Sequence, residues 1–242
     1  DSEVVLKGCK QWGVVNFCKR ATGMWAFSIW DTQKKELWLS RDRVGQKPLF
    51  YTYNNNTIKF ASTLTALRKV IKKQEIDINS LKFFLGSGFI PPNKSIYKEV
   101  SKVEPATCVC FTRDDVSYWK YWKPDFSVNY DMTENEAING VEEQLRSVVS
   151  RCMISDVPLG FNLSGGIDSS LITAFASEKG YKPKTFTMTL PGKENDEGKY
   201  ARTIANIIGT NHHEVPLDQD AFQVLSSLTY FYGEPFGDSS AI

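Results

Sequence analysis

The chain has 242 residues, of which 41% are hydrophobic and 13% aromatic, so it can bury a substantial core in one large or two modest domains. Its 29 basic and 28 acidic residues leave a formal net charge of +1. This balance excludes the strongly basic surface typical of proteins that bind nucleic acid or an anionic membrane. No apolar run is long enough to cross a bilayer.

The first half of the chain predicts a short helix followed mainly by antiparallel strands. Apolar residues within 4–12 indicate the helix, with Asp1 or Ser2 as its N-cap. Asn79 is expected to cap a second helix. Apolar runs bounded by turn sequences indicate strands at residues 24–30, 36–40, 48–53, 57–61, 107–112 and 116–122.

The second half predicts alternating helices and strands after a boundary near residues 123–131. Thr133 and Glu136 have the spacing of a capping box. The helix that they begin has an apolar face formed by Ile138, Val141, Leu145, Val148 and Cys152. Strands are then expected at residues 159–163, 184–190 and 213–216, with helices at 170–177 and 199–208. This alternation predicts a parallel sheet with helices on its faces, and such sheets bind ligands at the carboxyl ends of their strands.

The most informative segment is residues 164–170, which read Ser-Gly-Gly-Ile-Asp-Ser-Ser between a predicted strand and a predicted helix. Glycines allow a tight turn and close approach to a ligand, and the free N–H groups at a helix start favour an anion. Asp168 could hold a magnesium ion beside that anion. The segment therefore predicts a site for the pyrophosphate end of a nucleotide, with a purely structural turn as the alternative. It matches neither the Walker A pattern nor the dinucleotide-binding pattern.

The same segment resembles the pyrophosphate loop of the N-type ATP pyrophosphatases, which cleave ATP between its α and β phosphates and adenylate a substrate. Other strings resemble the glutamine-hydrolysing asparagine synthetases. They lie at residues 154–160, 190–192, 209–214 and 234–241 in the second half, and at 23–31 and 39–49 in the first. The resemblance therefore covers nearly the whole chain.

This resemblance implies two incomplete domains. Residues 1–123 are expected to be the C-terminal part of a glutaminase (glutamine amidotransferase type 2) domain, an α+β fold with Ntn-type antiparallel sheets and helices. Residues 131–242 are expected to be the N-terminal part of the synthetase (ATP pyrophosphatase) domain, a doubly wound parallel α/β sheet like that of the adenine nucleotide α-hydrolases, truncated at its C-terminal side. The chain begins with Asp1 and lacks the N-terminal cysteine nucleophile of the family. It is therefore expected to be an internal fragment that is inactive alone.

The resemblance also implies roles for individual residues. Asp168 is the expected catalytic residue and Mg²⁺ ligand. Asp1, in an Asp-x-Glu string, is expected to bind the α-amino group of glutamine, with a helix cap as the alternative. Asp238 is expected on the substrate side of the site. Thr63 stands where the family has glutamate, which weakens any inference about the ammonia passage. The residues implied to bind ATP are Leu163, Ser164, Gly165, Gly166, Asp168, Ser169, Ser170 and Met188, of which Met188 could equally be a core methionine.

The implied function is the ATP-dependent amidation of aspartate to asparagine through β-aspartyl-AMP, with ammonia supplied by glutamine. The protein is thus expected to be a cytoplasmic ligase of asparagine biosynthesis that uses ATP and Mg²⁺, is compatible with a homodimer, and binds neither nucleic acid nor a membrane. Two alternatives stay open. One is a related amidotransferase or cyclase that acts on another carboxylate, and the other is a non-catalytic module that binds nucleotide or a partner.

Three other patterns favour structural roles. The five cysteines include no Cys-x-x-Cys pair and are expected to be mostly buried free thiols. Aromatic residues and lysines alternate at residues 118–123, which favours an amphipathic edge strand over a surface that stacks bases. His212, His213 and Glu214 lack the His-Glu-x-x-His spacing and favour a helix-to-strand connection over a metal site.

Overall fold

The computed structural model describes residues 1–71, 73–128, 131–178, 180–192, 196–217 and 221–238, without the side chains of residues 221–226. The chain divides into two compact units. The first unit comprises Asp1–Phe126 and Asp220–Ile242, and the second unit comprises Ser127–Gln219.

Most strands of the first half are antiparallel and follow one another, whereas helices and parallel strands alternate in the second half. The strands are β1 (Ala26–Asp31), β2 (Glu36–Arg41), β3 (Phe50–Asn54), β4 (Thr57–Ala61), β5 (Ser101–Lys102), β6 (Thr107–Phe111), β7 (Val116–Lys120), β8 (Gly160–Asn162), β9 (Lys184–Thr189) and β10 (Asn211–Pro216). The helices are α1 (Ser2–Trp12), α2 (Val14–Arg20), α3 (Leu64–Arg68), α4 (Ile78–Ser87), α5 (Glu134–Cys152), α6 (Ile167–Ser177), α7 (Gly198–Ile208) and α8 (Ala221–Tyr232). In the described part of the chain, none of these helices has the length and apolar character needed to span a bilayer.

The first unit contains two antiparallel sheets. One has the strand order β1-β2-β6-β7 and the other has the order β4-β3-β5. The turn between β1 and β2 forms because Asp31 accepts the N–H groups of Gln33 and Lys34, both at 2.9 Å. Asn55 and Asn56 both have positive φ angles, of 47° and 55°, which is the backbone that a two-residue hairpin between β3 and β4 requires. The predicted hairpins and the edge position of β7 are confirmed.

Successive side chains of a strand point to opposite faces of its sheet, and in this unit each face packs against a different layer. On β6, Cys108 packs with α1 and α2, whereas Val109 points to the opposite face and packs with β3. On β3, Tyr51 shares the cluster of Val109, whereas Phe50 packs with the cluster that contains α3 and residues beside α4. The order of layers is therefore helices, four-stranded sheet, three-stranded sheet and helices.

The helices of this unit differ from the sequence prediction in two respects. The prediction that Asn79 caps α4 was wrong, because Asp77 holds that position and its carboxylate accepts the Asn79 N–H at 3.1 Å. Helices α2, α3 and α8 were not predicted. Thr63, the residue that departs from the family pattern, is the N-cap of α3, and its hydroxyl accepts the Ala66 N–H at 3.3 Å.

The second unit has a parallel sheet with the order β10-β9-β8, as predicted from the alternation of helices and strands. Helices α6 and α7 are the connections between successive strands. The capping box of Thr133 and Glu136 at the start of α5 is confirmed. Helix α6 begins at Ile167 rather than at residue 170 as predicted, so Asp168 lies in its first turn.

The free cysteines largely follow the prediction. Cys9, Cys18, Cys108 and Cys110 are buried, whereas Cys152 at the end of α5 is exposed. Burial raises the pKa of the Cys9 and Cys110 thiols to about 11, which disfavours the reactive thiolate form. Cys9 and Cys110 are therefore neutral thiols at pH 7.

Candidate functional site

The loop segment 164–170 leaves the end of β8 and enters α6. Leu163, immediately before it, is 1% exposed and donates its N–H to the Phe186 carbonyl at 2.9 Å. The Thr187 hydroxyl donates to the Leu163 carbonyl. These two contacts with β9 hold the start of the loop segment beyond the last paired residue of β8.

Hydrogen bonds of serine hydroxyl groups connect the beginning of the loop segment to the first turn of α6. The Ser164 and Ser169 hydroxyls share a hydrogen bond at 3.0 Å, and the Ser164 N–H donates to the Ser169 hydroxyl at 3.3 Å. The Gly166 N–H donates to the Ser164 hydroxyl at 3.3 Å, and the Ser169 hydroxyl also lies 3.2 Å from the Gly166 carbonyl, which accepts from it. The loop therefore has a fixed shape set by its own side chains.

Gly165 is required by its surroundings. Its φ of 83° lies in the left-handed region that favours glycine, and a Cβ at this position would lie 2.6 Å from the carbonyl carbon of Tyr200 and 2.7 Å from the N atom of Ala201. The loop segment thus packs directly on the backbone of the first turn of α7.

The N-terminus of α6 is open to a ligand. Gly166 is its N-cap and provides no side-chain hydrogen bond to the first turn. Gly166, Ile167 and Asp168 are all exposed. In the described residues, the Asp168 carboxylate makes no hydrogen bond or ion pair, and the buried Ser170 hydroxyl has no hydrogen-bond partner. Free N–H groups and an unengaged carboxylate therefore meet at one exposed helix start.

Met188 lies on β9, next to the strand that leads into the loop segment. It is 56% exposed, whereas its neighbours Thr187 and Thr189 are buried on the other face of the strand. The alternative that Met188 is an ordinary core methionine was therefore wrong.

Asp196 organises the connection from β9 to α7, and sequence reasoning gave it no role. Its carboxylate accepts the N–H groups of Leu190 and Gly198, both at 3.1 Å. The Leu190 N–H is the main reason that the Asp196 pKa lies below its ordinary value, followed by the Gly198 N–H. An acidic residue just before a helix was the available sequence signal.

Residues 212–214 lie on β10, which confirms the strand predicted at residues 213–216 but begins two residues earlier, so the connection from α7 ends before His212. The Glu214 carboxylate accepts two hydrogen bonds from Arg202, at 2.7 Å and 2.8 Å, and His212 Nδ1 lies 3.0 Å from the Thr185 hydroxyl. Among the residues that the structure describes, no group of three or more His, Cys, Asp or Glu side chains is arranged to hold a metal ion.

A second candidate site is a cavity of about 720 Å³ in the first unit. Asp1 lines it at the N-cap position of α1, but its side chain makes no capping hydrogen bond, so the helix-cap alternative is not supported. The other lining residues are Ser2, Val5, Leu6, Met24, Trp25, Ala26, Phe27, Ser28, Ile29, Trp30, Lys47, Pro48 and Ser62. Sequence reasoning missed Lys47 and Ser62, because long-range pairing brings them to α1 and β1.

The Asp42 carboxylate fixes the backbone that places Lys47 at this cavity. Asp42 is fully buried, and its carboxylate accepts the N–H groups of Gln46 and Lys47, both at 2.9 Å. The Arg41 guanidinium donates to the carbonyls of Lys47 and Gly45, at 2.8 Å and 2.7 Å. These charged side chains therefore shape a backbone loop and leave Lys47 at the cavity.

Asp238 also belongs to the first unit. It lines a separate cavity of about 360 Å³, together with Lys102 and Glu234. The structure thus brings together the residues from Leu163 to Ser170, with Met188 on the adjacent strand, whereas Asp1 and Asp238 lie at two different cavities of the other unit.

Two family models match this chain. Residues 1–122 match the glutamine amidotransferase domain, and residues 140–242 match the asparagine synthase model. The chain therefore belongs to the glutamine amidotransferase family, with an asparagine synthase match in its second half, and the resemblance seen in its sequence is confirmed.

The similar curated proteins include several asparagine synthetases. The putative asparagine synthetase (glutamine-hydrolyzing) 2 of Methanocaldococcus jannaschii is 34% identical over 99% of this chain and 48% of its own length. The asparagine synthetase (glutamine-hydrolyzing) 3 of Bacillus subtilis is 30% identical over 90% of this chain and 38% of its own length. The amidase chry2 of Gibberella zeae is 28% identical over 97% of this chain and 37% of its own length. The chain thus spans less than half the length of these relatives.

A solved structure titled glutamine phosphoribosylpyrophosphate amidotransferase from B. subtilis, complexed with ADP and GMP, aligns with 88% of this chain and 38% of its own. The TM-score is 0.32 and the identity is 12%, which supports no conclusion about ligand or activity.

Proposed function

We propose that the second unit binds ATP with its pyrophosphate on the loop segment, in a glutamine-dependent enzyme that converts aspartate to asparagine. The open N-terminus of α6, beside the exposed carboxylate of Asp168, is the observation that supports this best. Backbone N–H groups and the helix dipole favour an anion at that point, and the fixed loop shape means that little ordering is needed on binding.

The roles of the individual residues follow from their positions. The Gly165 N–H and the Ser170 hydroxyl would donate to phosphate oxygens. The Gly166 N–H and the hydroxyls of Ser164 and Ser169 would do so by exchanging the hydrogen bonds that they make within the loop. Donors fixed before the reaction stabilise the charge that gathers on a departing pyrophosphate. The backbone at Leu163, which follows β8, and Met188 on the adjacent strand β9 would place the adenine, and the exposed side chain of Met188 is accessible for this contact.

The donor set at the loop also fits Mg²⁺. Proteins bind this ion through one or two carboxylates together with substrate phosphates, and Asp168 offers one exposed, unengaged carboxylate. Bound there, Mg²⁺ would offset phosphate charge. Asp168 would hold the ion beside the pyrophosphate, and the N–H groups of the helix start would donate to the same anion.

In the proposed reaction, an oxygen of the aspartate β-carboxylate attacks the α-phosphorus of ATP. The α–β phosphoanhydride bond breaks, pyrophosphate leaves, and β-aspartyl-AMP forms. Ammonia then attacks the acyl carbon, and AMP departs to leave the amide. Adenylation is needed because a carboxylate oxygen is a poor leaving group, whereas AMP leaves readily.

The first unit would supply the ammonia from glutamine. Its layered helix–sheet–sheet–helix arrangement is compatible with the Ntn-type glutaminase domain that we propose for residues 1–123. Asp1 would bind the α-amino group of glutamine at the cavity of about 720 Å³. Residues 131–242 would belong to the synthetase domain, although residues 220–242 lie with the first unit by contact, and Asp238 would lie on the substrate side.

The test is ATP–pyrophosphate exchange in the complete natural protein. Asp168→Ala should abolish aspartate-dependent exchange, because the metal loses its protein carboxylate, while the unfolding free energy stays unchanged. Asp156→Ala, which removes another exposed carboxylate of the second unit, is the matched control and should exchange normally. Wild-type exchange rates in Asp168→Ala would refute the assigned role.

A second candidate is amidation or cyclisation of a different carboxylate. The observation behind it is that a relative similar over 97% of this chain is named amidase chry2, a name that does not state asparagine synthesis. Exchange measured across a set of carboxylic acids decides between the two, since the true substrate alone should drive exchange.

A further inference from the structure

Glu234 follows α8, and its side chain is almost buried in the first unit. One carboxylate oxygen, Oε1, pairs with Lys102 Nζ at the end of β5, and the two side chains are 12% and 14% exposed. The other oxygen, Oε2, accepts the Ile96 N–H at 3.2 Å. Both oxygens of Glu234 are therefore engaged by residues that precede it by more than a hundred positions.

Buried apolar side chains border this ion pair, and the charged residues Arg41 and Asp238 line the same cavity. Ile96 and Val100 are 4% and 2% exposed, and Lys102 Nζ lies 5.7 Å from the centre of the Phe50 ring. A charge in such a place is costly unless its partner is present, so loss of either side chain leaves the other uncompensated. The pair is thus unlike the exposed pair of Lys98 and Glu75, whose side chains are 56% and 52% exposed.

Other contacts hold the residues on either side of Glu234. The Thr65 hydroxyl donates to the Tyr230 carbonyl at 2.7 Å. A Cβ on Gly233 would lie 3.0 Å from the Leu64 Cβ, and one on Gly237 would lie 2.5 Å from the Gly88 carbonyl oxygen. The segment 230–238 is therefore fixed against α3, the end of α4 and β5.

The two members of the ion pair belong to different family matches. Lys102 lies within the amidotransferase match, and Glu234 lies within the asparagine synthase match. Asp238 is four residues beyond Glu234, and these three residues line the same cavity of about 360 Å³. An ion pair formed by the amidotransferase part of the chain thus fixes a segment that ends at a proposed substrate residue.

We propose that Lys102 and Glu234 form a positioning pair. It holds the segment 230–238 in place so that the carboxylate substrate binds correctly and its ATP-dependent activation stays coupled to glutamine hydrolysis. This inference rests on the proposed function, since it assigns Asp238 to the substrate side.

Three variants separate positioning from stability. Glu234→Gln keeps an oxygen to accept the Ile96 N–H but removes the charge that faces Lys102. Lys102→Met removes the opposite charge and keeps a side chain of similar length. The double variant has neither charge of the pair, so it should recover the thermal stability that each single variant loses. The ion pair that holds the segment 230–238 is still absent in it. Glu75→Gln is the control, because it breaks an exposed pair in the same unit.

The experiment uses the complete natural protein and three readouts. These are the glutaminase rate, the KM for aspartate in ammonia-dependent AMP formation, and the ratio of glutamate to AMP produced from glutamine. The two single variants and the double variant should raise the KM and the ratio by roughly 2- to 30-fold, the range seen when residues modulate coupling between sites. Glutaminase kcat should stay within about twofold, as should every readout for Glu75→Gln.

Two results would overturn the proposal. One is a KM and a product ratio at the wild-type level in the double variant, which folds even if a single variant does not. The other is a parallel loss of glutaminase and synthetase activity that returns with thermal stability in the double variant, because a purely structural pair behaves in that way. Absence of aspartate-dependent AMP formation in the unmodified protein would instead refute the proposed function, and it would be seen before any variant is made.

Discussion

Gly165 and Tyr200 are in direct backbone contact, since a Cβ on Gly165 would lie 2.6 Å from the Tyr200 carbonyl carbon. The proposed phosphate loop is therefore shaped by α7 as well as by its own serines. Because Asp196 ties the start of α7 to the end of β9, the loop geometry depends on a chain of contacts through the sheet.

Gly165→Ala should disrupt both the second unit and ATP binding. The left-handed backbone alone costs a residue with a Cβ about 1–2 kcal/mol, and the clash with Tyr200 should add about 1–3 kcal/mol. Urea unfolding measures the stability, and ATP–pyrophosphate exchange measures the function. Exchange should be lost even under conditions where the variant remains folded.

The matched control is Gly209→Ala at the other end of α7. Gly209 has a similar φ of 79°, but no atom of the described residues lies within 4 Å of the added Cβ. It should lose only about 1–2 kcal/mol and retain exchange. Equal losses in the two variants would show that backbone strain, rather than contact with Tyr200, fixes the loop.

Ser170→Ala should separate stability from nucleotide binding. The Ser170 hydroxyl is buried and has no partner in the described part of the chain, so its removal should stabilise the second unit by about 1 kcal/mol. If the hydroxyl meets a phosphate, its loss should weaken ATP binding by about 10-fold or more, the worth of a hydrogen bond to a charged group. Thermal unfolding and ATP titration provide the two measurements.

Ser177→Ala provides the comparison within the same helix. The Ser177 hydroxyl donates to the Ala174 carbonyl at 2.7 Å. Its removal should not stabilise the unit, and it should leave ATP affinity unchanged. Unchanged ATP affinity in Ser170→Ala as well would remove this hydroxyl from the proposed site.

Features set by neighbouring residues could be read from the sequence. The capping box of Thr133 and Glu136 and the hairpin turn at residues 54–56 depend on short-range contacts, and both are present. The parallel sheet followed from the order of apolar runs. The resemblance to asparagine synthetases came from short strings and is confirmed by the two family matches.

Features set by distant contacts could not be read in this way. Helix α6 begins three residues earlier than predicted, in a loop whose shape depends on Tyr200, 35 positions after Gly165. Asp77 and Asn79 are both good cap residues, and local propensity alone does not choose between them. Lys47 reaches the first cavity because buried Asp42 folds the backbone between them. The homodimer, the cytoplasmic location and the roles of the site residues stay predictions.

Asp196 should make the second unit sensitive to acid. Backbone N–H groups lower its pKa below the ordinary value of 3.8, so its contribution to stability is complete above that value and is lost as the pH falls through the lower pKa of the folded state. Asp196→Asn keeps an oxygen acceptor without a titrating group, so it should lack the stability that the charged form adds at pH 7, and this part of the acid sensitivity should disappear. Unfolding curves measured at several pH values test this. If the unfolding free energy of Asp196→Asn falls at low pH as much as that of the wild type, the assignment is contradicted.

Asp42→Asn should impair the glutamine side of the enzyme. The buried carboxylate accepts the N–H groups of Gln46 and Lys47, and an amide cannot accept through both of its ends, so one N–H would face another donor. The first unit should lose about 2–4 kcal/mol, and the KM for glutamine should rise because Lys47 lines the cavity that contains Asp1. Ammonia-dependent ATP–pyrophosphate exchange should persist wherever the protein stays folded. Asp31→Asn is the comparison at a turn. One oxygen of Asp31 accepts both N–H groups, so the amide oxygen can keep both bonds and the loss of stability should be much smaller. A wild-type KM for glutamine in Asp42→Asn would separate this loop from glutamine binding.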